Sequence, residues 1–292
     1  MPSSVPADVP GVALRPARVP RGSGFSLMLS ELRVLFARRR TWALLLALAA
    51  IPVLVAVAVR VSSSVPPGRG PAFLDRISQN GLFVAFTAML VSVPLFLPLT
   101  VGVVAGDTIA GEANLGTLRY LLVAPAGRVR LLLVKYAGAL AFCLVAPLTV
   151  GVAGAAIGAA LFPVGPVTLL SGDVIQPPEA AVRILLIAAY LAVSLAGLSA
   201  IGLFLSTLTV VPVGAMAATV VVSVVSQVLD QLPQLEWLHP WLFSHYWFGF
   251  GDMLRQPVLW DTFASNALLQ AGYITAFGAL AYGRMVTKDV LS

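Results

Sequence analysis

The sequence predicts an all-α integral membrane protein with six membrane-spanning helices, on its composition, its clustering of apolar residues and the placement of its charges. Hydrophobic residues fill 59% of the 292 positions and charged residues only 10%, against about 25% charged in soluble domains. Mean hydropathy is +0.95. A chain this apolar, folded in water, would expose more greasy surface than soluble monomers tolerate. The apolar residues also gather into six runs free of Asp, Glu, Lys, Arg and His, and crossing the hydrocarbon core as a helix takes about 20 residues.

Taken in order, residues 1–24 are rich in Pro, Ala, Val and Arg without periodicity and read as a disordered tail, with the folded domain expected over 25–292. No signal peptide is expected, because the first long apolar run begins only at Trp42 and no small-residue cleavage site follows it. Phe25–Arg40 reads as an amphipathic helix lying along the membrane surface, with Phe25, Met28, Leu29, Leu32, Leu35 and Phe36 on one face. Ser26, Ser30, Arg33 and Ala37 take the other face. The spans are expected at Trp42–Val59, Leu82–Ala105, Tyr136–Val164, Ile184–Leu208, Val210–Leu229 and Ala264–Tyr282. Pro212 is placed to open the fifth span, where a missing N–H costs nothing. Pro52, Pro94, Pro98 and Pro147 fall inside spans and are expected to kink them. Between the last two spans, Asp230–Phe263 carries Trp237, Trp241, Tyr246, Trp247 and Trp260. Such rings concentrate at the membrane boundary, so short interfacial or re-entrant helices are expected there.

Orientation follows from Lys and Arg. With the N-terminus inside, thirteen of the 18 basic residues fall on the cytoplasmic side, and an even number of spans returns the C-terminus there beside Arg284 and Lys288. The protein is thus expected to be a multi-pass protein of the cell membrane with both termini cytoplasmic. The net charge of +6 does not indicate nucleic acid, because the basic residues flank apolar runs and form no patch with interleaved aromatics.

The chemistry the chain lacks is informative. Cys143 is the only cysteine and sits in an apolar run, as a small packed hydrophobe would. His239 and His245, six residues apart, would lie on different faces of a helix, with no thiol or convergent carboxylates to complete a metal site. Carriers driven by ion gradients generally keep acidic or His residues within their spans, and these spans have none. A phosphate-binding loop needs Gly-Lys-Ser/Thr, but the lysines, Lys135 and Lys288, follow Val134 and Thr287. No catalytic, cofactor or metal residue is therefore expected, and any work the chain performs is powered elsewhere.

The segment from Gly106 to Lys135 carries the strongest local signal. Leu115, Leu118, Leu121 and Leu122 recur at helical spacing, which predicts a short amphipathic helix after the second span. Glu112 is placed in its first turn, where a carboxylate favours the helix dipole. Pro125 ends the helix, and Arg128, Arg130 and Lys135 anchor the next span.

Gly111-Glu112, Gly116-Thr117-Leu118, Leu121-Leu122, Ala124-Pro125 and Arg128, continuing into Leu131-Leu132-Leu133 and Lys135, resemble the signature of ABC-2-type transporter permeases. The likeness extends over roughly 25–292 through the amphipathic start, the six spans and the aromatic last loop. The stretch from Asp107 to Ala110 departs from the usual form. The resemblance implies a permease subunit without its own ATPase site. Two ABC ATPase subunits, carrying ATP and Mg, would join it and a second permease, identical or homologous.

By the same resemblance, Gly111, Glu112, Leu115, Gly116, Thr117, Leu118, Arg119 and Leu122 would belong to the coupling helix that enters the ATPase. Glu112 would order this loop or pair with a basic residue, and Arg119 would meet an acidic surface. Phe25, Met28, Leu32, Arg33 and Phe36 would belong to the connecting helix. Export of a lipophilic or amphipathic substrate is the expected direction. Two rival readings are a passive channel or gradient-driven carrier, and a membrane scaffold that recruits a partner.

Overall fold

A computed structural model describes residues 24–62, 80–116 and 127–287. The amphipathic start folds as α1, Gly24–Ala37, and a bend at Arg38 leads into α2, Arg39–Ser62. The expected second span is two helices, α3 (Phe83–Ser92) and α4 (Phe96–Asn114). Pro94 lies in the break, and the Gln227 side chain donates to its carbonyl oxygen at 2.9 Å. Irregular backbone within a span needs such a partner, because lipid supplies none. Next come α5 (Arg128–Leu161), α6 (Pro177–Leu208), α7 (Pro212–Asp230) and α8 (Asp261–Thr287). Between α5 and α6 lies one small hairpin, β1 (Val167–Thr168) paired antiparallel with β2 (Val174–Ile175).

Among the described residues, five helices are long and apolar enough to cross a membrane: α2, α4, α5, α6 and α7. The chain is therefore an all-α, multi-pass membrane protein. At 27 residues α8 has the length, but Asn266, Gln270 and Arg284 lower its hydropathy. Pro212 does open α7, at its first turn. Pro52 and Pro147 lie within α2 and α5.

The core is organised around α6, which packs against α4, α5, α7 and α8. Small residues make the close approaches. A Cβ added at Gly106 would stand 2.7 Å from the Met216 backbone nitrogen of α7, and one at Gly154 would stand 2.6 Å from Ala85 Cα of α3. These small faces are thus used inside the chain, as membrane helices use them generally.

Two helices overrun their apolar cores at the same end of the bundle. Helix α4 continues to Asn114 rather than stopping near Ala105, and α5 begins at Arg128 rather than at Tyr136. Asp107 and Glu112 on the α4 extension are matched by cations from the α1–α2 bend, α2 and α5, so the helix continues past its greasy stretch.

Candidate functional site

This end of the bundle is held by a shared cation. Lys135, in the second turn of α5, donates from its ammonium to both oxygens of Glu31 on α1, at 2.8 and 2.9 Å, and to Glu112 Oε1 on α4. Its side chain is only 4% exposed. Three helices therefore meet on one buried charge. Removing one partner of such a group costs about 3–5 kcal/mol, because a charge is left buried without compensation.

Glu112 is not in the first turn of a new helix, as expected from the sequence, but in the last turn of α4. A carboxylate there opposes the helix dipole. The Lys135 ammonium outweighs that local preference, since it lies in direct contact.

A second clamp lies beside it. Arg38 Nη1, at the α1–α2 bend, stands 3.0 Å from Asp107 Oδ2, and Arg40 Nη1 stands 3.4 Å from the same oxygen. Arg40 also approaches Met216 Sδ at 3.0 Å. Both arginines are partly exposed, so this pair contributes less than the Lys135 group. Ser206, near the end of α6, accepts the N–H groups of Ile109 and Ala110 at 2.9 and 2.8 Å. Arg128 donates to the Met285 and Val286 carbonyls at 2.7 and 2.8 Å, closing the last turn of α8 against the start of α5.

From this clamped platform leaves the segment expected to carry the short helix. Gly111 lies inside α4, and Leu115, its C-cap residue, is 72% exposed. Gly116 takes φ +71 and Gly127 φ +72, so the chain leaves and re-enters the platform through two left-handed residues. Thr117, Leu118, Arg119 and Leu122 lie in 117–126, outside the described residues. A Cβ at Gly116 would meet nothing within 4 Å, so its substitution has a conformational cost alone. Gly116→Ala is expected to destabilise by about 1 kcal/mol, read as a lowered melting temperature of the purified protein.

In α1, Leu35 and Phe36 pack against the main core, while Leu32 is half-buried and Arg33 is exposed. Met28 and Leu29 stay exposed at 39% and 41%. The Phe25 side chain lies outside the described residues. Sequence reasoning missed Glu31, Asp107 and the depth of Lys135. The available signal was charge balance, since Glu31, Asp107 and Glu112 fall among the basic residues that flank the first three apolar runs.

A second polar cluster lies within the bundle. Gln270 of α8 accepts the Gly197 N–H of α6 at 3.1 Å and donates to the Phe243 carbonyl at 2.9 Å. Asn266 donates to Ser194 Oγ at 2.8 Å, and Trp247 Nε1 to the Ser194 carbonyl at 2.9 Å. Together these fix α8 and the aromatic loop to the middle of α6. Gln270→Leu is expected to cost about 2 kcal/mol, because it removes one bond to α6 and one to the aromatic loop, such bonds being worth about 0.6–1.7 kcal/mol each in membranes. Thermal denaturation in detergent measures it.

The aromatic loop folds as three short 3-10 helices. The two histidines do not diverge as a continuous helix would place them, and their rings lie 6.2 Å apart. His245 Nδ1 contacts Asp230 Oδ1 at 2.7 Å and His239 Nε2 lies 3.1 Å from the Leu232 carbonyl. Among the described residues no group of three His, Cys, Asp or Glu side chains converges.

The sequence model of the family described as "ABC-2 family transporter protein" matches residues 26–242, from α1 into the aromatic loop. No curated protein matches the chain closely enough to count as a relative.

Proposed function

The chain belongs to the ABC-2 transporter family, and from that premise we propose that it is a permease subunit powered by ATP hydrolysis on a separate ABC ATPase. It has six spans, α8 being the last, with both termini cytoplasmic. Two ATPase chains carrying ATP and Mg sit beneath it and a second permease, identical or homologous. It exports a lipophilic or amphipathic substrate such as a drug, lipid or peptide, as its uncharged spans favour.

The observation that carries this reading is the Lys135 group. It ties α1, the end of α4 and the start of α5 into one unit, and 117–126 hangs from that unit. A push on 117–126 by a closing ATPase pair then moves three helices together. Nucleotide binding shifts the pore between two populations, as far as its differential contacts with the two states allow. Arg119 meets the ATPase and Glu112 holds the loop's origin.

Proteoliposomes containing the chain with and without its ATPase test this. ATP-dependent flux is expected only with both. Flux from the chain alone would indicate a channel or gradient-driven carrier, and no flux with both would indicate a scaffold.

A further inference from the structure

A groove of about 640 Å³ runs between α8 and the short helix His239–Trp241, within the roughly 300–1,000 Å³ range of ligand sites. Leu268, Gly272, Ala276 and Phe277 form its floor and Trp241 and Tyr246 its wall. Leu268 is 77% exposed, and a Cβ at Gly272 would meet nothing within 4 Å, so the hollow is open space rather than a close backbone approach. The wall is fixed in advance. Tyr273 donates its hydroxyl to the Trp241 carbonyl at 2.8 Å, and its ring stacks on Phe277 at 6.0 Å with planes only 2° apart.

Length and chemistry identify the occupant. The lining runs from Ser265, one turn into α8, to Phe277. At 1.5 Å per helical residue that is roughly 18 Å, close to one leaflet of a hydrocarbon core about 30 Å thick. Among the described residues no charged side chain lines it. Its Ser265 end lies within two turns of Trp260, which immediately precedes α8 and is 53% exposed, the kind of ring that gathers at headgroup level. We propose that this groove holds one acyl chain of a membrane phospholipid, its headgroup beside the aromatic loop. The proposal rests on α8 crossing the membrane, as in the reading above, but needs no ATPase.

The test places the purified chain in nanodiscs of phosphatidylcholine that carries a photoreactive diazirine on one acyl chain, and maps the adducts by mass spectrometry. Leu268 and Tyr273 are expected to be labelled severalfold more than Leu46 and Leu54, which are 66% and 68% exposed on α2. Gly272→Trp and, separately, Ala276→Phe should bring α8 labelling down to the α2 level while α2 labelling persists. Equal labelling of α8 and α2 in the unaltered chain would mean ordinary surrounding lipid and overturn the proposal. So would an excess that survives both fillings. Should neither variant fold, the unaltered chain decides alone. Because no transport is measured, failure here is distinct from failure of the permease reading.

Discussion

Lys135→Met is expected to destabilise the folded chain by about 3–5 kcal/mol, because it strips the shared cation from two carboxylates already drawn out of water. Glu31 and Glu112 have side chains only 20% and 13% exposed. They would then face each other without the ammonium they share. Thermal unfolding in detergent reads the loss. Neutralising all three, as Lys135→Met with Glu31→Gln and Glu112→Gln, is expected to recover much of it, since buried ion groups are often replaceable at little net cost. Coupling is the discriminating readout. With stability recovered, the flux obtained per ATP hydrolysed should still fall, by about 5–150-fold if the junction carries a usual coupling free energy of ~1–3 kcal/mol. A purely structural role predicts recovery of both.

Leu118→Pro is expected to abolish ATP-driven flux while leaving the spans inserted and the ATPase able to hydrolyse ATP. Beyond Leu115, which caps α4, and the left-handed Gly116, the apolar spacing of Leu118, Leu121 and Leu122 is that of a short helix, and proline in a helix interior costs about 3 kcal/mol through the lost N–H and the ring clash. Measured flux against measured hydrolysis checks this. Unchanged flux in Leu118→Pro would remove the segment from the coupling route.

The bundle was legible because lipid leaves the backbone few options. A charge-free run of sufficient length must be helical, and the expected positions of α2 and α7 agree with the helices observed, while α6 ends at Leu208 as expected but begins at Pro177 rather than Ile184. The ends of α4 and α5 were not legible from apolarity, because their extensions are sustained by partners distant in sequence. Lys135 lies 104 residues from Glu31 and 23 from Glu112. No local pattern announces that pairing. The same holds for Gln270, which lies in an expected span as one uncharged residue among many, yet takes an N–H from the middle of α6. The break at Pro94 was anticipated only as a kink, since the Gln227 side chain that satisfies its carbonyl comes from α7. The two histidines were misplaced by assuming helical spacing where the loop folds in short 3-10 turns. Thr117, Leu118, Arg119 and Leu122 remain readings of sequence and family likeness, with their geometry outside the described residues.

Photocross-linking from position 119 in the assembled complex tests the delivery of power through this loop most directly. A photoreactive residue there is expected to join the chain to its ATPase, with the yield changing when nucleotide is added. Adducts confined to lipid, or a position 119 reached only by reagents from outside the cell, would contradict the account.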